Sequence, residues 1–154
     1  MSKKKPLIVF EGIEGTGKTT LINFVSNFLS KKKIHHIKIR EPGGNRNSEL
    51  IRKLILNKQN KFNSFTDLML YFAARSENIE KVIRKHYNKK VILIDRFTDS
   101  TLAYQHYGMG INKLLINKIN QILLKNISPQ VTFINFVNEK NLKKRLNLRK
   151  NKNR

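Results

Sequence analysis

Short apolar runs alternate along the chain with stretches whose apolar residues recur at helical spacing. Leu7 to Phe10 is a continuous apolar run suited to a buried strand, and the glycine-rich stretch Gly12 to Gly17 follows it as a turn. Leu21, Ile22, Val25, Phe28 and Leu29 then return with Asn, Ser and Thr opposite, which predicts a helix with one apolar face. A second strand fits Ile34 to Ile39. It runs into Arg40-Glu41-Pro42-Gly43-Gly44, whose Pro and paired Gly impose a loop. Leu50, Ile51, Leu54 and Ile55 mark a second helix, and a longer one, from about Thr66 to His86, carries Leu68, Phe72, Ile79, Val82 and Ile83. Val91 to Ile94 reads as a third strand buried on both faces, ended by Asp95-Arg96. A loop around Gly108 and Gly110 leads to a helix with Leu115, Ile119, Ile122 and Leu123. Pro129 opens a fourth strand, Val131 to Val137, and a basic helix runs from about Glu139 onward.

This order predicts the α/β class, a mostly parallel sheet flanked by helices on both faces, in one unit with neither repeat nor linker. Ligands of such sheets bind beyond the carboxyl ends of the strands. The polar clusters Gly12 to Thr19, Arg40 to Gly44 and Asp95 to Tyr104 each follow a predicted strand, so they converge on one rim.

Composition narrows the function classes. The 154 residues carry 32 Lys and Arg against 10 Asp and Glu, a net charge of +22. That balance fits a polyanionic partner such as nucleotide, nucleic acid or anionic lipid. The 23 Lys against 9 Arg, amid abundant Asn and Ile, fit a compositional bias equally well. The absence of Cys excludes a disulfide scaffold, a thiolate zinc site and cysteine catalysis. Apolar runs are too short to span a bilayer, and nothing between Lys3-Lys4-Lys5 and Glu11 resembles a secretory signal. A cytoplasmic protein with no membrane partner is expected. No specific nucleic-acid partner is expected either, because no helix-turn-helix, zinc or aromatic RNA-binding signature occurs.

The first cluster carries the most specific chemistry. Gly12-Ile13-Glu14-Gly15-Thr16-Gly17-Lys18-Thr19 matches G-x-x-x-x-G-K-T, a loop whose backbone N–H groups surround phosphate oxygens. Lys18 is suited to the β and γ phosphates, the Thr19 hydroxyl to Mg²⁺, and the following helix start to negative charge. With Thr20 these residues form the expected ATP-phosphate site. Asp95, at the end of the third strand, can reach the metal or its waters; a turn-capping role is the other reading. Arg96 beside it suits bidentate phosphate binding, with a surface ion pair as the alternative.

The loop in its setting, Ile8-Val9-Phe10-Glu11-Gly12-Ile13-Glu14-Gly15, is joined by three further segments. They are Arg40-Glu41-Pro42-Gly43-Gly44, Tyr71-Phe72-Ala73-Ala74-Arg75, and Asp95-Arg96 followed by Asp99-Ser100-Thr101-Leu102-Ala103-Tyr104-Gln105. In order and spacing, across the whole chain, they resemble bacterial thymidylate kinase, a family of P-loop nucleoside monophosphate kinases. The resemblance implies a P-loop NTPase-type parallel sheet and ATP-dependent phosphorylation of dTMP to dTDP for dTTP synthesis, with Mg²⁺, by a homodimer. It implies that Arg40 and Arg96 hold the dTMP phosphate, that Phe72 stacks on thymine, and that Arg75 and Gln105 bond the base edge. Thr101 would lie near the base, Tyr104 would crowd the sugar where a 2′-OH would sit, and Glu14 would face the 3′-OH. The phosphate loop holds no Arg, so the transferring group would meet Lys18, Arg96 and the lid arginines Arg149 and Arg154. Plainer readings stand beside these: Phe72 as core, Tyr104 packing beside Ala103, and Arg145, Arg149 and Lys150 as the solvated face of a basic helix.

The chain departs from the family pattern at Asn45 (usually Thr), at His106 and Met109 (usually Gly and Arg), and at Phe136 and Glu139 (usually Asp and Pro). The sequence stops at Arg154, inside a lid beginning at about residue 145, so the family's last strand and C-terminal helices are expected to be missing. The fourth strand would then be a sheet edge, open to pairing or aggregation. Two alternatives follow: a weakly active or inactive nucleotide-binding remnant, and a related nucleoside or nucleotide kinase with another base preference.

Overall fold

A computed structural model describes residues 4–152. Four strands, β1 (Leu7–Glu11), β2 (His36–Arg40), β3 (Val91–Asp95) and β4 (Val131–Ile134), form one parallel sheet in the order β2-β3-β1-β4. The register sets Phe10 opposite Asp95 and Arg40 opposite Asp95, so the carboxyl ends of three strands meet at one rim. Alternation along β1 and β3 divides the core. Leu7, Val9, Ile92 and Ile94 pack on one face with Ile79, Ile83, Phe97 and Ile127. Phe10 and Leu93 pack on the other with Ile22, flanked by Leu21, Val25 and Leu29.

That second face is covered by α1 (Lys18–Lys31). On the first side lie α2 (Arg46–Leu56) and α3 (Ser64–Asn78), the latter continuing through a π-helical turn, Ile79–Ile83, into α4 (Arg84–His86). Asn45 caps α2 by accepting the N–H groups of Asn47 and Ser48, and Asn63 caps α3 by accepting that of Thr66. α6 (Lys113–Leu124) follows a loop, and α7 (Glu139–Lys152) carries one Glu in its first turn. No helix among the described residues is long and apolar enough to cross a membrane.

Two elements differ from the sequence expectation. The residues after β3 are helical, as α5 (Thr98–Thr101) and a π-helical stretch, Leu102–Tyr107. Hydrophobic periodicity does not announce this segment, because the side chains it buries are the polar Thr101 and Gln105. The fourth strand ends at Ile134 rather than Val137. Its partner β1 stops at Glu11, where Gly12 turns the chain away, and the last backbone bond runs from Asn135 N–H to the Glu11 carbonyl. The outer edge of β4 has no strand beside it among the described residues, and Val131, Phe133 and Ile134 stay about half exposed.

Candidate active site

β1 delivers the chain into the glycine-rich loop, where Gly12, Gly15 and Gly17 take φ of 137°, 83° and 93°. A Cβ on Gly12 would stand 2.7 Å from the Asn135 carbonyl oxygen, so only glycine lets the end of β4 close on the loop. Lys18 is buried and folds back over it, donating from Nζ to the carbonyl oxygens of Gly12 (2.7 Å) and Ile13 (3.0 Å). Burial lowers its pKa and nearby Arg96 adds to the effect, while Asp95, Glu11 and Glu14 oppose it. Lys18, Thr19, Thr20, Glu14, Asp95 and Arg96 share one small cavity of about 180 Å³ with the loop backbone. Asp95 Oδ1 is buried there without a hydrogen-bond partner among the described residues.

Arg96 follows Asp95 with φ of 66°, a left-handed conformation that costs a non-glycine residue about 1 kcal/mol or more. The turn is held by its N–H on the Phe10 carbonyl (3.0 Å) and by Glu11. The buried Glu11 carboxylate accepts from Phe97 N–H (2.7 Å), Ser100 N–H (3.3 Å) and Ser100 Oγ (2.5 Å), so it serves as the cap of α5. The Arg96 guanidinium lies 5.4 Å from the Tyr104 ring centroid and donates to Ser100 Oγ at 3.3 Å.

A cleft of about 390 Å³ opens beside this turn, beyond the ends of β2 and β3. Arg40, Arg52 and Arg96 line it with Tyr71, Arg75, Thr101, Tyr104 and Gln105. Arg75 is 3% exposed, and its guanidinium ties the walls together. It donates to Glu41 Oε2 (2.7 Å), Asn120 Oδ1 (2.8 Å), the Phe97 carbonyl (2.9 Å) and Thr101 Oγ1 (3.0 Å). Four of its five N–H groups are thereby used within the protein. Gln105 donates to Asp67 Oδ2 at 3.3 Å.

Of the residues expected to hold dTMP, the cleft brings together Arg40, Arg75, Arg96, Thr101, Tyr104 and Gln105, while Glu14 sits in the adjoining phosphate cavity. Phe72 requires correction: it is 4% exposed and packs in the core with Leu68 and Ile116, so it offers no face to a base. The aromatic that α3 contributes to the cleft wall, beside Phe97 and Tyr104 from the segment after β3, is Tyr71. Helical spacing carries the signal, because Tyr71 stands four residues before Arg75 and Phe72 four after Leu68. Arg52 is a second residue the sequence reading did not single out; it projects from α2 and donates from Nη1 to the Pro42 carbonyl (2.6 Å). Arg154 and the side chain of Arg149 lie outside the described residues. The basic helix does reach the loop through Arg145, whose Nη1 donates to the Gly15 carbonyl at 3.2 Å.

Residues 10–154 match the thymidylate kinase family model. This chain belongs to the thymidylate kinase family. It is 39% identical over 127 residues to the thymidylate kinase of Prosthecochloris aestuarii, covering 82% of this chain and 57% of that protein. It is 45% identical over 138 residues to that of Prochlorococcus marinus strain MIT 9312, covering 84% and 65%. The crystal structure of thymidylate kinase from Ehrlichia chaffeensis superposes with a TM-score of 0.81 at 36% identity, over 93% of this chain and 78% of that one. The sheet and its helices are therefore those of the P-loop NTPase fold. The chain spans about three fifths of the length of the first curated relatives it matches, 57% and 61% for the Prosthecochloris and Legionella pneumophila strain Paris proteins.

Proposed function

We propose that this chain transfers the γ-phosphoryl group of ATP to dTMP, giving dTDP for dTTP synthesis. The observation that carries the reading is the cleft beside the phosphate loop, where Arg40, Arg52 and Arg96 line the same space as Tyr71, Thr101 and Gln105. A phosphate dianion suits the arginine forks, and a flat base with hydrogen-bonding edges suits the aromatic and polar walls.

The reaction forms a bond between a dTMP phosphate oxygen and the γ phosphorus and breaks that phosphorus's bond to the bridging oxygen, so ADP leaves. The attacking oxygen is already anionic, and rate comes from alignment and charge neutralisation. Lys18 leaves its two carbonyl partners for the β and γ phosphates of ATP, with the backbone from Gly12 to Thr20 around them. Arg40, Arg52 and Arg96 hold the acceptor phosphate, Tyr71 stacks on thymine, and Tyr104 walls off the ribose 2′ position. Thr101, Gln105 and the remaining N–H of Arg75 serve the base edge, and Glu14 the 3′-OH. Thr19 and Asp95 would hold Mg²⁺. The unpartnered Asp95 Oδ1 and the Thr19 hydroxyl are hard oxygen donors. Held there, Mg²⁺ would supply positive charge to offset that of the transferring phosphates.

We read residues 1–154 as one kinase domain whose lid begins at about Arg145, with Arg149 and Arg154 as its arginines for the transferring group. A homodimer in the cytoplasm completes the reading. Its support is the exposed Leu50 and Leu54 of α2 and Phe65 of α3, on helices that pack together. ADP release measured with ATP, Mg²⁺ and dTMP, dUMP, CMP or thymidine tests the function. Turnover highest with dTMP is expected. Preference for an unphosphorylated nucleoside, or dTMP binding without turnover, overturns it.

A further inference from the structure

Glu49, on α2, does not line the cleft and has no part in the chemistry above, yet its carboxylate holds Arg40, which does. It accepts from Arg40 Nε (3.3 Å to Oε1) and from Arg40 Nη2 (3.2 Å to Oε1, 3.0 Å to Oε2). It also accepts the Gly44 N–H at 2.9 Å. The loop is shaped around it: Gly43 has φ of 118°, and a Cβ there would stand 2.5 Å from Glu49 Oε1. The pairing with Arg40 holds the Glu49 carboxyl below its ordinary value, so it is charged at neutral pH. Arg52 stands three residues further along α2, on the same side of the helix.

A guanidinium carries five N–H groups in one plane. With the Nε and Nη2 edge docked on Glu49, the Nη1 end remains as a fork for an anion. The carboxylate also offsets the repulsion between Arg40 and Arg52 when no phosphate lies between them. We propose that Glu49 is a positioning residue for the acceptor phosphate, presenting the Nη1 end of Arg40 to it and keeping the arginines gathered before it arrives. This rests on the nucleoside monophosphate reading of the cleft.

Calorimetric binding of dTMP and of thymidine to the full chain and to Glu49→Gln tests it. Gln keeps an acceptor for Gly44 N–H and removes the charge and the paired oxygens. We expect about fivefold weaker dTMP binding, the scale of one partly exposed ion pair, with thymidine binding unchanged. In an Arg40→Ala background the same substitution should add no further loss. Equal losses for dTMP and thymidine would show a merely structural role, and tighter dTMP binding would show that Glu49 competes with the phosphate; either overturns the proposal. If the native chain prefers another nucleoside monophosphate, the thymine assignment fails and the comparison moves to that ligand and its nucleoside. If it binds none, both readings fail.

Discussion

Replacing Arg75 by Met should destabilise the fold in a pH-dependent way. Arg75 and Glu41 are both almost fully buried, with side-chain exposures of 4% and 5%, and their ion pair at 2.7 Å joins α3 to the end of β2. Met matches the length of the aliphatic stem but leaves the buried Glu41 carboxylate without its cation, and Glu41 Oε1 has no hydrogen-bond partner among the described residues. Breaking a buried pair on one side costs about 3–5 kcal/mol, or on the order of 10 °C in Tm for a chain of this size. The pH dependence follows from Glu41, whose pKa is raised by burial against the opposing pull of Arg75. A carboxyl with a folded pKa above its unfolded value binds more protons folded, so its contribution is fully present below the unfolded pKa. It is lost as pH rises through the folded value. Removing Arg75 deletes the main opposing influence, raises the Glu41 pKa further and widens that window upward. Urea unfolding of native and variant chains at pH 5.5 and pH 8 should show a larger deficit at pH 8. Glu41→Gln combined with Arg75→Met should recover part of it, because no buried charge remains. A deficit below about 1 kcal/mol, a deficit equal at the two pH values, or no recovery in the double variant would refute the reasoning.

The aromatic assignment separates two neighbours: Tyr71→Ala should weaken dTMP binding about tenfold, the worth of one stacked base, while changing Tm little. Phe72→Ala should instead cost about 3–5 kcal/mol of stability, read by urea unfolding. Asp95→Asn should raise the Mg²⁺ concentration needed for half-maximal turnover while leaving dTMP binding measured without ATP close to native; an unchanged Mg²⁺ titration would remove Asp95 from the metal site. On the edge of β4, which has no strand beside it among the described residues, Thr132→Lys adds a charge and should reduce self-association at high concentration, measured by light scattering.

What the sequence discloses depends on how locally each piece of chemistry is encoded. The phosphate loop is legible because cradling phosphates needs a contiguous run of glycines with Lys and Thr at fixed spacing, between a strand and a helix that each have their own apolar signature. β1 and β3 are legible for the same reason, as short apolar runs buried on both faces of a sheet. The cleft beside that loop is assembled differently. Its walls come from the end of β2, from α1, α2 and α3 and from the segment after β3, and apart from Phe97 its buried residues, Glu41, Arg75, Thr101 and Gln105, are polar. Hydrophobic periodicity counts such positions as surface, so it passes over the helix at Thr98–Tyr107 and cannot choose between adjacent aromatics on α3. The choice follows once Arg75 is placed. A guanidinium that must meet Glu41, Thr101 and Asn120 fixes the rotation of α3, and that rotation sends Phe72 to Leu68 and Ile116 while Tyr71 lines the cleft. The polar network thus sets which aromatic lines the cleft, and the apolar core accepts the other.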